Sequence, residues 1–216
     1  NQPLDSWNES EGCPRSGVSN IRSMKYMFCD CKNFNQPLGG VFPSENQPLD
    51  SWNESEGCPR SGVSNVKDMS WMFCDCSSYN QPLNSWNVSE GCPRSGVSNV
   101  KYMEWMFYGC SSFNQPLNSW NVSNVEDMRW MFNNCSSFNQ PLNSWNVSNV
   151  ENMYTMFYGC TYFNQFLCYF FIKKYIQSHQ SIHSKFYTIP IIKPNQCPLT
   201  LHQLYRLQPH MKEISI

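Results

Sequence analysis

Residues 113–137 read F-N-Q-P-L-N-S-W-N-V-S-N-V-E-D-M-R-W-M-F-N-N-C-S-S, and almost the same 25 residues follow again from Phe138. A repeat of that length constrains the fold more than composition does. A unit so short cannot enclose its own apolar side chains, so it must stack on its neighbours and share a core with them. Taking Asn-Gln-Pro-Leu as the start, units begin at Asn1, Asn35, Asn46, Asn80, Asn114, Asn139 and, with Phe166 in place of proline, Asn164. The spacings are 34, 11, 34, 34, 25 and 25 residues. Length therefore counts stacked coils, and domain-size rules do not apply.

Within the unit from Asn114, Leu117, Trp120 and Val122 form L-x-x-W-x-V, a variant of the L-x-x-L-x-L strand pattern of leucine-rich repeats. Trp120 and Val122 alternate with Ser119, Asn121 and Ser123, which predicts a short parallel strand with one apolar and one polar face. Val125, Met128, Met131, Phe132 and Cys135 fall on one side of a helix, so a helix is predicted over Val125 to Cys135. Ser123 with Glu126, and Ser148 with Glu151, have the spacing of a capping box at its start. A return loop runs through Pro141. Stacking turns each repeat position into a column, with Leu, Trp, Val, Met and Phe columns inside. The repeat methionines read as packing.

The signature at Trp120 to Asn124, Met128, Met131, Phe132 and Phe138 to Leu142 resembles the BspA-type leucine-rich repeat, the DUF285 repeat family, over about residues 1–167. The resemblance implies an α/β solenoid: an LRR-like right-handed coil with one short parallel strand and one short helix per unit. It also implies a non-enzymatic surface or secreted protein, engaged in adhesion or in binding a protein or glycan on another cell or surface. No cofactor is implied.

Two departures from the pattern stand out. The 34-residue units carry Glu-Gly-Cys-Pro-Arg-Ser-Gly-Val-Ser at 11–19, 56–64 and 90–98, and residues 39–45 separate two starts by too little chain for a coil. Gly and Pro make the inserts loops. They present Arg15, Arg60 and Arg94 along one edge as candidate partner contacts, or they are duplications tolerated because lengthening a surface loop costs little. A local kink is expected at 39–45.

Further columns carry chemistry. Tyr26, Trp71, Trp105 and Trp130 lie two residues after an inward Met, which on a helix directs them outward as a candidate binding strip for a protein or sugar rings. Ser119, Asn121 and Ser123 offer a polar alternative. Cys31, Cys76, Cys110, Cys135 and Cys160 share one position and predict a ladder of buried thiols. The loop residues Cys58 and Cys92 could form a disulfide in an oxidising compartment. Asn8, Asn53, Asn87, Asn121 and Asn146 each begin an N-x-S sequon, a candidate glycosylation site that the repeat would also generate by itself.

The period ends near residue 167. Residues 168–216 form either a cap on the last coil or an unrelated tail. They contain all four histidines, whose only suggestive spacing, His179 with His183, lacks an accompanying carboxylate. The repeats hold 9 Lys/Arg against 15 Asp/Glu and the tail 6 against 1, so nothing in the array suggests a nucleic-acid surface. No apolar run approaches the ~20 residues needed to span a bilayer. The chain starts without Met or a signal peptide and reads as a fragment or processed product, so secretion is open. With no histidine before residue 168, the array has no evident general base or metal site, and an enzyme is not expected. A passive structural spacer or the product of a decayed repeat gene remain alternatives to binding.

Overall fold

The computed structural model describes residues 21–38, 63–83, 86 and 96–167, together with the backbone of 199–200. The inserted loops, apart from residues 63–64 and 96–98, and the irregular segment 39–45 lie outside this set. So do Arg15, Arg60, Arg94, Cys58, Cys92, Asn8, Asn53, Asn87 and the histidines.

Equivalent residues of successive units are joined side by side in parallel. Single parallel bridges link Ser23 to Asp68, Asp68 to Tyr102, Tyr102 to Asp127 and Asp127 to Asn152. This pairing falls at Asp127, within the segment expected to be helical. The stretch expected as the strand, Leu117 to Ser123, makes turns instead: the Trp120 amide donates to Leu117 O at 3.0 Å and the Val125 amide to Val122 O at 3.0 Å.

The expected helix over Val125 to Cys135 is a run of overlapping turns. The amides of Met131, Asn133 and Cys135 donate to the carbonyls three residues back, of Met128, Trp130 and Phe132, at 3.3, 3.1 and 3.0 Å. Those of Met128, Trp130, Phe132 and Asn134 donate sideways into the next unit, to Asn152, Tyr154, Met156 and Tyr158, at 2.9, 2.9, 3.0 and 2.7 Å. Arg129 N–H donates to Asp127 Oδ1 at 2.9 Å. Every amide from Met128 to Cys135 is thus paired, half of them laterally, which leaves none for an i→i−4 helix ladder.

Left-handed residues enforce this course. Trp130 and Asn134, with φ of 60° and 59°, occupy the third position of the turns Met128–Met131 and Phe132–Cys135, where a type II turn requires positive φ. The capping boxes do not form. Glu126 N–H donates to Lys101 O of the preceding unit at 2.8 Å, and the Ser123 hydroxyl donates to Asn121 Oδ1 at 2.7 Å.

The shared core lies where the columns meet. Val125, Met128, Met131, Phe132, Cys135, Phe138 and Leu142 are fully buried, as are their counterparts in the third unit. Two aromatic columns run through it. Phe28, Phe73, Phe107, Phe132 and Phe157 stack at centroid separations of 5.6, 5.4, 5.6 and 5.8 Å. Phe34, Tyr79, Phe113, Phe138 and Phe163 stack at 5.6, 6.1, 6.1 and 5.8 Å. Burying side chains of this size contributes roughly 1.5–3 kcal/mol each. The insert at 90–98 leaves the stacking intact: Val97 is buried, donates its amide to Trp86 O at 3.2 Å, and makes with Val100 the turn that Val122 makes with Val125.

The Asn-Gln of each Asn-Gln-Pro-Leu start forms a second ladder. Asn114 Oδ1 accepts the Asn139 amide at 2.9 Å and Gln140 Nε2 at 3.1 Å, and the same pattern joins Asn35 to Asn80, Asn80 to Asn114 and Asn139 to Asn164. At the far end, β1 (Phe166–Leu167) pairs antiparallel with β2 (Leu199–Thr200), so part of the tail returns to the last unit.

Candidate binding surface

The strip read from the sequence exists as a stack of rings. Tyr26 lies 5.4 Å from Trp71, Trp71 lies 4.3 Å from Trp105 and Trp105 lies 4.7 Å from Trp130; the two indole pairs are within 8° of parallel. Tyr154 closes the column edge-on to Trp130 at 5.9 Å and 73°. Tyr108 joins from the side, 4.7 Å from Trp105. Tyr26 is 52% exposed and the three tryptophans are half-buried.

These side chains lie at the surface for a different reason from the one expected. No helix turns them away from the core. Each is itself left-handed, at φ between 60° and 61° for Tyr26, Trp71, Trp105 and Trp130, and sits between two methionines, both buried in the units of Trp71, Trp105 and Trp130. A bulky residue there is an outlier, since Gly or Asn normally fills the third position of such a turn. The next left-handed position obeys the rule, being Asp30, Asp75, Gly109, Asn134 and Gly159 in succession. From Asp75 onward it also packs by alternation: a Cβ on Gly109 would lie 2.1 Å from Asp75 Oδ1, and one on Gly159 would lie 2.2 Å from Asn134 Oδ1.

Stacking decides what the strip can offer. Because the inner indoles cover one another's faces, the surface presents ring edges, which carry the positive side of the aromatic quadrupole. A sugar ring cannot lie flat on a face already occupied. Around the ridge, charge is mixed: Lys25 Nζ sits 5.4 Å from the Tyr26 centroid, and Arg129 Nε is 3.1 Å from Asp127 Oδ2. Burial holds the Asp127 carboxyl above the usual carboxylate range.

The alternative polar strip is largely engaged internally. Ser119 is exposed, but Asn121 Oδ1 accepts both the Ser123 amide, at 3.1 Å, and its hydroxyl. Asn146 repeats this turn with Ser148, at 3.2 and 2.7 Å, while remaining exposed.

The thiol column is set by hydrogen bonding as well as by size. Cys76, Cys110, Cys135 and Cys160 each donate S–H to a Phe carbonyl of the preceding unit, Phe28, Phe73, Phe107 and Phe132, at 2.9, 2.9, 2.7 and 2.8 Å. Burial pushes the Cys76 and Cys160 thiols up to about 12 and those of Cys110 and Cys135 well above the ordinary range. Among the described residues no group of three or more His, Cys, Asp or Glu is placed to hold a metal ion, and no helix is long and apolar enough to cross a membrane.

A family model described as "Mycoplasma protein of unknown function, DUF285" matches residues 1–92 and again residues 93–189. The chain belongs to the DUF285 family. Two consecutive matches make it a tandem member, and the second extends beyond the aromatic ridge into the segment after residue 167. No curated protein and no solved structure matches this DUF285 chain.

Proposed function

We propose that this DUF285 array is a non-enzymatic binding scaffold, a leucine-rich-repeat-like solenoid akin to BspA-type surface proteins, that captures a protein partner along its aromatic ridge. One observation carries the reading: four units in succession hold a large aromatic residue at the surface on a left-handed backbone. Each such residue costs on the order of 1–3 kcal/mol, and conformations of that kind gather at functional sites. Ring edges, half-exposed tyrosines and mixed flanking charge suit a polypeptide surface, where aromatic residues dominate binding energy. The occluded ring faces weigh against a glycan laid flat on the strip. Adhesion at a cell surface is the setting this proposal favours.

The competing reading is a passive spacer in which the rings only cement adjacent units. Replacing Trp71, Trp105 and Trp130 together by Ala separates the two. Binding to host-cell surface proteins should fall at least tenfold while glycan-array signals stay at background; full binding by a folded triple variant would leave only the spacer.

A further inference from the structure

We propose that Cys29 and Cys74 form a redox-active thiol pair, which a low-molecular-weight disulfide converts into a covalent staple between two stacked units. The two residues occupy one repeat position, where the later units have Tyr108, Asn133 and Tyr158. Their backbones are in register: Phe28 N–H donates to Met72 O and Asp30 N–H to Cys74 O, both at 2.8 Å. Stacked residues in such a pairing are about 4.8 Å apart, inside the 4.4–6.8 Å Cα range of disulfides. Each thiol donates to the carboxylate that follows it, Cys29 Sγ to Asp30 Oδ2 at 3.9 Å and Cys74 Sγ to Asp75 Oδ2 at 3.7 Å, so the two units carry the same local arrangement at this position.

This arrangement differs from that of the neighbouring thiol column. There each buried S–H is directed at a Phe carbonyl in the preceding unit, and Cys76, the stacked neighbour of Cys31, is held on Phe28 O. Among the described residues Cys29 and Cys74 have no carbonyl partner of this kind; each donates to the next carboxylate, and the backbone register makes them direct neighbours in adjacent units.

Exposure sets the order of events. Cys74 is buried at 3% exposure and Cys29 is half-buried, so Cys29 meets the oxidant first. As the thiolate it attacks one sulfur of the small disulfide, forming a mixed disulfide and releasing one small thiolate. Cys74, as the thiolate, then attacks Cys29 Sγ and displaces the second. Two protein thiols are oxidised and one small disulfide is reduced; the two protons lost by the cysteines end on the two released thiols. Burial and the adjacent carboxylates raise both thiols above their ordinary range, so exchange is slow at neutral pH and faster in mild alkali.

The test uses the full chain incubated with oxidised glutathione at about pH 8.5, then alkylated in denaturant and digested without reductant. Asp-N and trypsin together release 26–29 and 68–74, each with a single cysteine. The expected result is these two peptides joined by a disulfide, with Cys110 and Cys135 alkylated. Cys31→Ser should keep the linked peptide and Cys29→Ser should lose it. Cys29 and Cys74 recovered as separate alkylated or glutathionylated peptides, or Cys29 joined to Cys31, would overturn the proposal. Because the wild-type digest is decisive on its own, poor folding of either variant does not rescue it.

Discussion

At Trp130 the backbone φ of 60° makes a prediction opposite in sign to the one a helix would give. Gly in a helix interior is less stable than Ala by roughly 0.5–1 kcal/mol. At a left-handed position Gly has no Cβ penalty, and the order inverts. Trp130→Gly is therefore expected to be more stable than Trp130→Ala by about 1 kcal/mol in urea unfolding, although both lose the ring contacts to Trp105 and Tyr154. The opposite order would restore the helix.

A second residue-scale outcome concerns Tyr79, which replaces Phe in the buried column. Its hydroxyl is fully buried without a hydrogen-bond partner, and burial pushes its ionisation well above the ordinary phenol range. Removing an unsatisfied buried hydroxyl relieves a desolvation cost of on the order of 1–3 kcal/mol. Tyr79→Phe should accordingly raise the urea midpoint. A fall would mean that the hydroxyl has a partner.

At the scale of the repeated element, the buried thiols govern alkaline behaviour. In the unfolded chain a thiol loses its proton near 9.0, whereas folded Cys76 and Cys160 keep theirs to about 12. Above pH 9 the folded state therefore binds more protons than the unfolded, and stability falls as pH rises. Each thiol contributes up to about 1.4 kcal/mol per pH unit between those limits. Cys110→Ser retains a donor to the Phe73 carbonyl but does not ionise in this range, so its unfolding midpoint should decline less steeply between pH 9 and 11. An unchanged slope would remove the thiols as the cause.

The same element shows what the sequence could reveal. Columns were legible because the side chains at Leu117, Trp120, Val122, Met128, Met131, Phe132 and Cys135 depend only on which residues point inward. The backbone that carries them was not. Met, Met-Phe and Cys at those spacings fit one face of a helix and fit equally a chain of three-residue turns. What separates the two is lateral hydrogen bonding, which no single unit contains. One signal was present: the position held by Asp30, Asp75, Gly109, Asn134 and Gly159 admits only Asp, Asn or Gly, the residues that tolerate positive φ. The Trp at the other left-handed position concealed the pattern, since a tryptophan gives no warning of such a conformation. Likewise Asn-Gln before Pro suggested a loop, and its amide ladder needed the neighbouring unit to become visible.

For the whole molecule, stability is a sum over adjacent units, so it should vary along the chain. In the first described unit Met27 is 38% exposed and Cys31 is exposed, whereas Met131 and Cys135 in the fourth are completely buried. Hydrogen exchange should be slowest at the laterally bonded amides of Phe107, Phe132 and Asn134 and at least tenfold faster at those of 24–31. Uniform protection would instead indicate a single cooperative block.

The lateral hydrogen bonds keep one direction at each repeat position: forward along the segment from Met128 to Asn134, backward at Glu126 and Ser137. In the fourth unit, Met128, Trp130, Phe132 and Asn134 give their protons to the unit that follows, and the carbonyls of Asp127, Arg129, Met131 and Asn133 receive them from the one before. Every junction is consequently the same junction, so a coil can be duplicated or excised anywhere in the series without creating a mismatched seam. What such a change alters is the length of the tryptophan ridge, and copy number becomes a heritable adjustment of reach.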